Sequence, residues 1–202
     1  MSENRVNPEI NWNQLYNTVN QISPIPKELW KESENLYTFR KLEYGDFLIK
    51  QNATATEFAF VFSGVLKEYY LTDKGNEYIK SFNFAGDFTG SYYDLLSKQP
   101  STCSIRAITN CELAVAKFSE FRKLFSKHIV WERLGRIFAE NLFLKKAKRE
   151  YELLALDAEE RYNLLLKSKP GIEMLVPQYQ IASYLGITPV SLSRIKSKRK
   201  SL

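Results

Sequence analysis

The chain has 202 residues, 44% of them hydrophobic and 14% aromatic, and a net charge of +6. This is a globular composition, long enough for one large or two small domains with buried cores. No run of about 18 apolar residues offers a membrane span, and the basic excess favours a polyanionic partner.

Residues 1–8 (MSENRVNP) contain no apolar stretch of the kind that directs export, so a cytoplasmic location is expected. Residues 9 to 36 read as helical: Trp12, Leu15, Tyr16 and Val19 recur at helical spacing before Pro24 and Pro26 interrupt. From Tyr37 to Phe118 short aromatic and β-branched runs alternate with turn residues. The predicted strands are residues 38–41, 47–49, 58–62, 66–70, 78–82 and 111–116, with a hairpin signal at Asp73 to Asn76. Even spacing of short strands argues for an antiparallel barrel or roll. Cys103 and Cys111 are the only cysteines; in apolar context they read as buried reduced thiols, with a redox pair as the alternative, and they are too few for an iron–sulfur cluster.

From Ser119, a candidate cap for a short helix, the pattern is helical. The main helix is predicted from about Ile129 to Leu154. Val130, Leu134, Ile137, Asn141, Leu144, Lys148 and Tyr151 follow alternating four- and three-residue steps, the period of a coiled-coil seam. Asn141 inside that stripe is a register-fixing device of parallel pairs. Trp131, Phe138 and Leu142 form a second stripe suited to pack on the roll. Two apolar stripes need two surfaces, which favours a homodimer; a single amphipathic helix buried on its own domain is the alternative. A hinge is placed near Ala155–Asp157, and Asp157 to Glu160 has the form of a capping box for a further helix with Tyr162, Leu165 and Leu166 on its apolar face, ended by residues 169–171.

Residues 176–198 read as a helix-turn-helix. Ile181, Ala182 and Leu185 share one face of a first helix; Gly186 stands where the chain must turn with positive φ; Thr188 caps and Pro189 opens a second helix. Leu192 and Ile195 pack that helix back, which leaves Pro189, Val190, Ser193, Arg194 and Ser197 outward for a major groove. After Glu173 there is no acidic residue, while Arg194, Lys196, Lys198, Arg199 and Lys200 crowd the end, a pattern that neutralises phosphates.

The order of roll, long helix and helix-turn-helix resembles the Crp/Fnr family of bacterial transcription regulators over nearly the whole chain. The resemblance is carried by residues 45–49 (GDFLI), 60–67 (FVFSGVLK), 84–90 (FAGDFTG), Arg106-Ala107, and the stretch from Gln180 to Ile195. It implies an α+β fold: an N-terminal antiparallel β-roll of cyclic-nucleotide-binding type with its leading helices (1–128), a long dimerisation helix (129–155) and a C-terminal helix-turn-helix domain (156–202). It also implies double-stranded DNA, a second copy of the chain, RNA polymerase and a small-molecule effector as partners.

The departures are specific. Cyclic-AMP-binding members carry Gly-Glu and, about ten residues on, Arg-Ser or Arg-Thr; here Gly90 is followed by Ser91, and Ser101-Thr102 stand at the arginine position. The Thr-Ser pair that meets adenine appears as Lys146-Ala147. Gly90, Ser91, Ser101, Thr102 and Lys146 therefore form a candidate effector pocket without the phosphate's cation, and cyclic AMP is not expected to bind in the family manner. Asp87 and Asp94 nearby read as ordinary loop carboxylates. Where members place arginine and glutamate in the recognition helix, this chain has Pro189 and Val190, while Arg194 matches the family's base-reading arginine. Ser191, Ser193, Lys196 and Lys198 are expected at phosphates, with Gln178 and Tyr179 near the backbone and the capping Thr188 also counted in the DNA-binding surface. The family's wing is expected to be missing, since the sequence stops at Leu202.

The expected function is a homodimeric, sequence-specific transcriptional regulator, with no cofactor and no metal: His128 is the only histidine, too few for a metal or cupin-type catalytic site, so no enzyme is expected. The alternative is a ligand-binding roll with a vestigial DNA-binding domain.

Overall fold

Strands whose apolar residues run without a break need cover on both faces, and the two longest such runs build the centre of this molecule. The computed structural model describes residues 12–200. In it β1 (Tyr37–Leu42), β8 (Cys111–Lys117), β3 (Glu57–Ser63) and β6 (Phe88–Thr89) form one antiparallel sheet in that order. The second antiparallel sheet runs β2 (Phe47–Ile49), β7 (Ser104–Ala107), β4 (Leu66–Leu71), β5 (Glu77–Asn83). Side chains alternate across each strand. Ala59, Val61, Leu113 and Val115 enter the roll interior with Leu42, Leu66 and Ile105. Phe60, Ala114 and Ala116 point outward into a second core with the leading helices α1 (Trp12–Ile22) and α2 (Lys27–Glu34).

The roll is followed by α4 (Phe118–Lys123), a 3₁₀ turn, and α5 (Ile129–Ala155), 27 residues that span about 40 Å at 1.5 Å per residue. His128 caps α5, its Nδ1 accepting from the Val130 N–H at 3.2 Å. Leu156 is extended, and Asp157 and Glu160 exchange both hydrogen bonds of a capping box to start α6 (Ala158–Ser168). Then come α7 (Ile172–Leu175), α8 (Gln178–Leu185) and α9 (Pro189–Lys200). The outer face of the second sheet (Tyr69, Ile79, Phe82) and the helical domain (Tyr162, Leu165, Ile181, Leu185, Leu192) share one core.

Three expectations need correcting. Val130 and Leu134 are buried in the chain's own outer core, against the roll and leading helices, so the upper end of the predicted seam is not open to a partner. Ser119 lies inside α4 rather than at its cap, which Lys117 occupies. The two-residue β6, β7 and the six-residue α3 (Tyr92–Ser97) were not among the predicted elements. The part of the predicted first helix before Trp12 falls outside the described residues.

Candidate nucleic-acid interface and sensor site

The helix-turn-helix is built by local rules. Gly186 sits at φ +71° past the end of α8, and the Ile187 N–H closes back on the Ala182 carbonyl at 3.0 Å, a Schellman ending. Thr188 Oγ1 accepts from the Ser191 N–H at 3.2 Å, which caps α9. Ile181, Ala182, Leu185 and Leu192 are fully buried between the helices. Pro189, Val190, Ser193 and Arg194 are exposed along the outer side of α9, with Thr188 at its cap and Gln178 and Tyr179 exposed at the head of α8. Ser191 is half-buried, its hydroxyl 2.9 Å from that of Thr188.

Two of the predicted phosphate contacts are already engaged. Lys196 Nζ lies 2.6 Å from Glu173 and Lys198 Nζ 3.0 Å from Glu159. Glu173 also accepts from the Tyr162 hydroxyl at 2.7 Å. Burial pushes the Glu173 carboxyl up, but the hydrogen bonds from Lys196 and Tyr162 outweigh it and hold it below the usual carboxylate range. An ionised Glu173 thus ties α9 to α6 through Lys196 and Tyr162.

The helical domain is also tied to the roll. The Ser183 hydroxyl accepts from the Ile79 N–H at 3.1 Å and donates to the Glu77 carbonyl at 2.8 Å, which continues the hydrogen-bond ladder of the edge strand β5. Arg149 of α5 stacks over the Tyr184 ring at 3.9 Å, and Lys169 reaches Asp87 at 3.1 Å. Helix α8 is therefore gripped by both the roll and the long helix.

Inside the roll, Ser91, Ser101 and Thr102 converge on Asp94, which reads as an ordinary loop carboxylate in the sequence but is fully buried. Its carboxylate accepts from the Ser91 hydroxyl, from Ser101 Oγ at 2.7 Å, and from the Thr102 N–H and hydroxyl at 3.3 Å each. The signal was the Ser91-x-x-Asp94 spacing, a capping-box form. Burial pushes the Asp94 carboxyl up, yet these donors prevail and keep it below the ordinary range. The buried Glu68 pairs with the half-buried Lys80, and Cys103 Sγ lies 3.2 Å from Glu68. Burial and Glu68 push the Cys103 thiol up to about 11, so it stays protonated at neutral pH. Asn83 Nδ2 and Thr89 Oγ1 are buried without partners among the described residues. Lys146, grouped with these residues by sequence, is instead exposed on α5; Gly90 lines an apolar cavity on the outer side of the roll.

Along the lower two thirds of α5, Ile137 is half-buried and Asn141, Leu144, Lys148 and Tyr151 are exposed. Leu144 is 63% and Tyr151 61% exposed, and Phe143 and Leu154, not predicted for the seam, are 70% and 80% exposed.

No described helix is long and apolar enough to cross a membrane. Residues 39–128 match the cyclic nucleotide-binding domain family. The chain is 26% identical over 177 residues to the nitrogen fixation regulation protein FixK of Bradyrhizobium diazoefficiens, which covers 83% of this chain and 74% of that protein. Its fold matches the structure of FixK2 from Bradyrhizobium japonicum with a TM-score of 0.69 at 20% identity, over 82% of this chain and 85% of the other. A CooA mutant from Carboxydothermus hydrogenoformans matches over 96% of this chain and 85% of its own, with a TM-score of 0.65 at 16% identity.

Proposed function

We propose that this chain, a transcriptional regulator of the Crp/Fnr family with a cyclic nucleotide-binding domain at residues 39–128, works as a homodimer that reads a two-fold DNA site. The observation that carries the reading is the exposed outer side of α9, which offers Arg194 beside Val190 and Ser193 from a helix capped by Thr188 and braced by Glu173. Arg194 suits bidentate contact with a guanine edge, and Val190 suits a thymine methyl. Two copies paired along α5 would present two such helices to half-sites one helical turn apart, about 34 Å. Lys196 and Lys198 reach phosphates only by exchanging their carboxylate partners for DNA, a salt-dependent step.

The phosphate-binding segment of the roll does not fit a cyclic nucleotide. Ser91 and Thr102 donate to the chain's own Asp94, and the single Ser101 proton is shared between Asp94 and the Cys103 carbonyl. A second anion beside that buried carboxylate would meet repulsion without a compensating cation. The effector is therefore of another chemistry. Its signal passes from roll to DNA through the β5–α8 ladder and Arg149, as a shift between orientations of the helical domain.

Selection of random duplexes with the purified protein tests the reading: an enriched two-fold motif is expected. Arg194→Ala should weaken binding to that motif by about 1–3 kcal/mol and flatten preference at one position of each half-site, while binding to random duplex changes little. Enrichment of no motif, with equal affinity for every duplex across salt concentrations, would reject DNA recognition and leave the roll as a binding module.

A further inference from the structure

The outer side of the first sheet does not close completely against the helices. Between β3, β6, α4 and α5 lies a cavity of about 80 Å³, walled by Phe58, Phe88, Phe121, Phe125, Phe138 and Tyr37 among others, with no charged residue in its lining. It is partly open to solvent. Close-packed interiors rarely keep a void of this size, because its walls lose dispersion contacts. Two features set it apart from a packing fault. Tyr37, in the cavity lining, is 6% exposed and its hydroxyl makes no hydrogen bond with the described residues, which leaves it free to bond a guest. Burial raises its titration, so the group stays a neutral donor. The wall on the long-helix side also contains Gly135, a poor helix former. A Cβ there would meet the Phe125 ring at 2.5 Å, so the glycine keeps that ring against α5 at the cavity wall.

We infer that this cavity binds a small, uncharged, mainly aromatic or acyl molecule that carries one hydrogen-bonding atom for the Tyr37 hydroxyl. The inference rests on the reading that the roll side of the protein senses a small molecule, and it places that molecule outside the strand sandwich rather than at the Asp94 cluster. An ion is excluded from such a wall by its desolvation cost. The enclosed part is about half of the ~150 Å³ that suffices for benzene in an apolar protein cavity, so a single ring fits with one end toward the opening. Phe138 and Leu142 of α5 belong to the wall, below the segment anchored by Trp131 and just above the exposed Phe143 and Leu144. Occupancy therefore presses directly on the long helix at the point where it leaves its own domain.

The test uses the full chain without DNA, so its outcome is independent of DNA recognition. Two probes of nearly equal shape, p-cresol and p-xylene, are titrated by calorimetry and by ligand-observed NMR. Wild-type protein should bind p-cresol about fivefold more tightly than p-xylene, the effect of one neutral hydrogen bond. Tyr37→Phe should abolish that preference while p-xylene binding persists, and should unfold at the same denaturant concentration as wild type, since the hydroxyl makes no hydrogen bond with the described residues. Leu142→Trp, which fills the rim, should reduce both probes. Absence of binding by either probe up to its solubility limit, or an unchanged p-cresol preference in Tyr37→Phe, overturns the assignment.

Discussion

Replacing Leu144 by glutamate should leave a folded monomer and reduce affinity for a two-fold DNA site by at least about 100-fold. Leu144 is 63% exposed within one chain, so the change removes little of that chain's own core. It stands in the middle of the outward stripe of α5 that continues through Tyr151, beside the exposed Phe143 and Leu154. In a parallel pair each Leu144 faces its own copy, and two glutamates there combine lost apolar burial with like-charge repulsion. The consequence for DNA is larger than for the dimer itself. A monomer engages half a site, and linked half-sites exceed single ones by 10²–10⁴ through effective concentration alone. Sedimentation velocity and a binding titration on full and half sites check both parts. Wild-type protein that sediments as a monomer at micromolar concentration, or a Leu144→Glu variant that still dimerises, removes α5 as the seam. Asn141 is exposed on the same stripe, and its substitution by leucine should stabilise or scramble the pair rather than dissolve it.

The proposed seam also separates what the sequence pattern of α5 reveals from what it does not. The four- and three-residue steps from Val130 to Tyr151 identify residues on one side of a helix, and α5 does form from Ile129 to Ala155. Periodicity carries no information about what covers that side. Val130 and Leu134 are covered by the chain's own aromatic cluster; Leu144 and Tyr151 are not. The helix-turn-helix was more legible because its signals are local: Gly186, Thr188 and Pro189 act within a few residues of themselves. The ion pairs Lys196–Glu173 and Lys198–Glu159 join different helices, and nothing in the basic run near the C-terminal end announces them. In the roll, β3 and β8 were readable as apolar runs, whereas β7 alternates Ser104, Ile105, Arg106 and Ala107, and β6 is too short to show a period. Asp94 was misjudged for the same reason. Its spacing to Ser91 was visible, but its burial depends on how the segment folds back so that Ser101 and Thr102 reach it.

Asp94→Ala should lower the stability of the roll by about 3 kcal/mol, a large effect for one side chain. The substitution removes the acceptor of the buried Ser91 and Ser101 hydroxyls, of which Ser101 can still donate to the Cys103 carbonyl at 2.9 Å, frees the Thr102 N–H and hydroxyl, and leaves a void where the buried carboxylate stood. Asp94→Asn separates charge from shape: it fills the void but offers a weaker acceptor and two donors where donors already stand. The difference in unfolding free energy between wild type and Asp94→Asn should depend on pH with a definite sign. The folded carboxyl titrates below its unfolded value of about 3.9. Its contribution is therefore complete at neutral pH, remains so down to about pH 5, and is lost as pH falls through the lowered folded value. Denaturant titrations at a series of pH values measure this; a wild-type advantage that grows on acidification contradicts an ionised Asp94. The same carboxylate explains why cyclic AMP should give no heat of binding with wild-type protein, and why Asp94→Asn should not restore binding: removal of the internal anion ends the repulsion but supplies no cation at Ser101 to hold a phosphate. Cyclic AMP binding by the wild-type chain would mean that the Ser91–Asp94–Ser101 cluster opens, and that its three hydroxyls, rather than an arginine, carry the recognition.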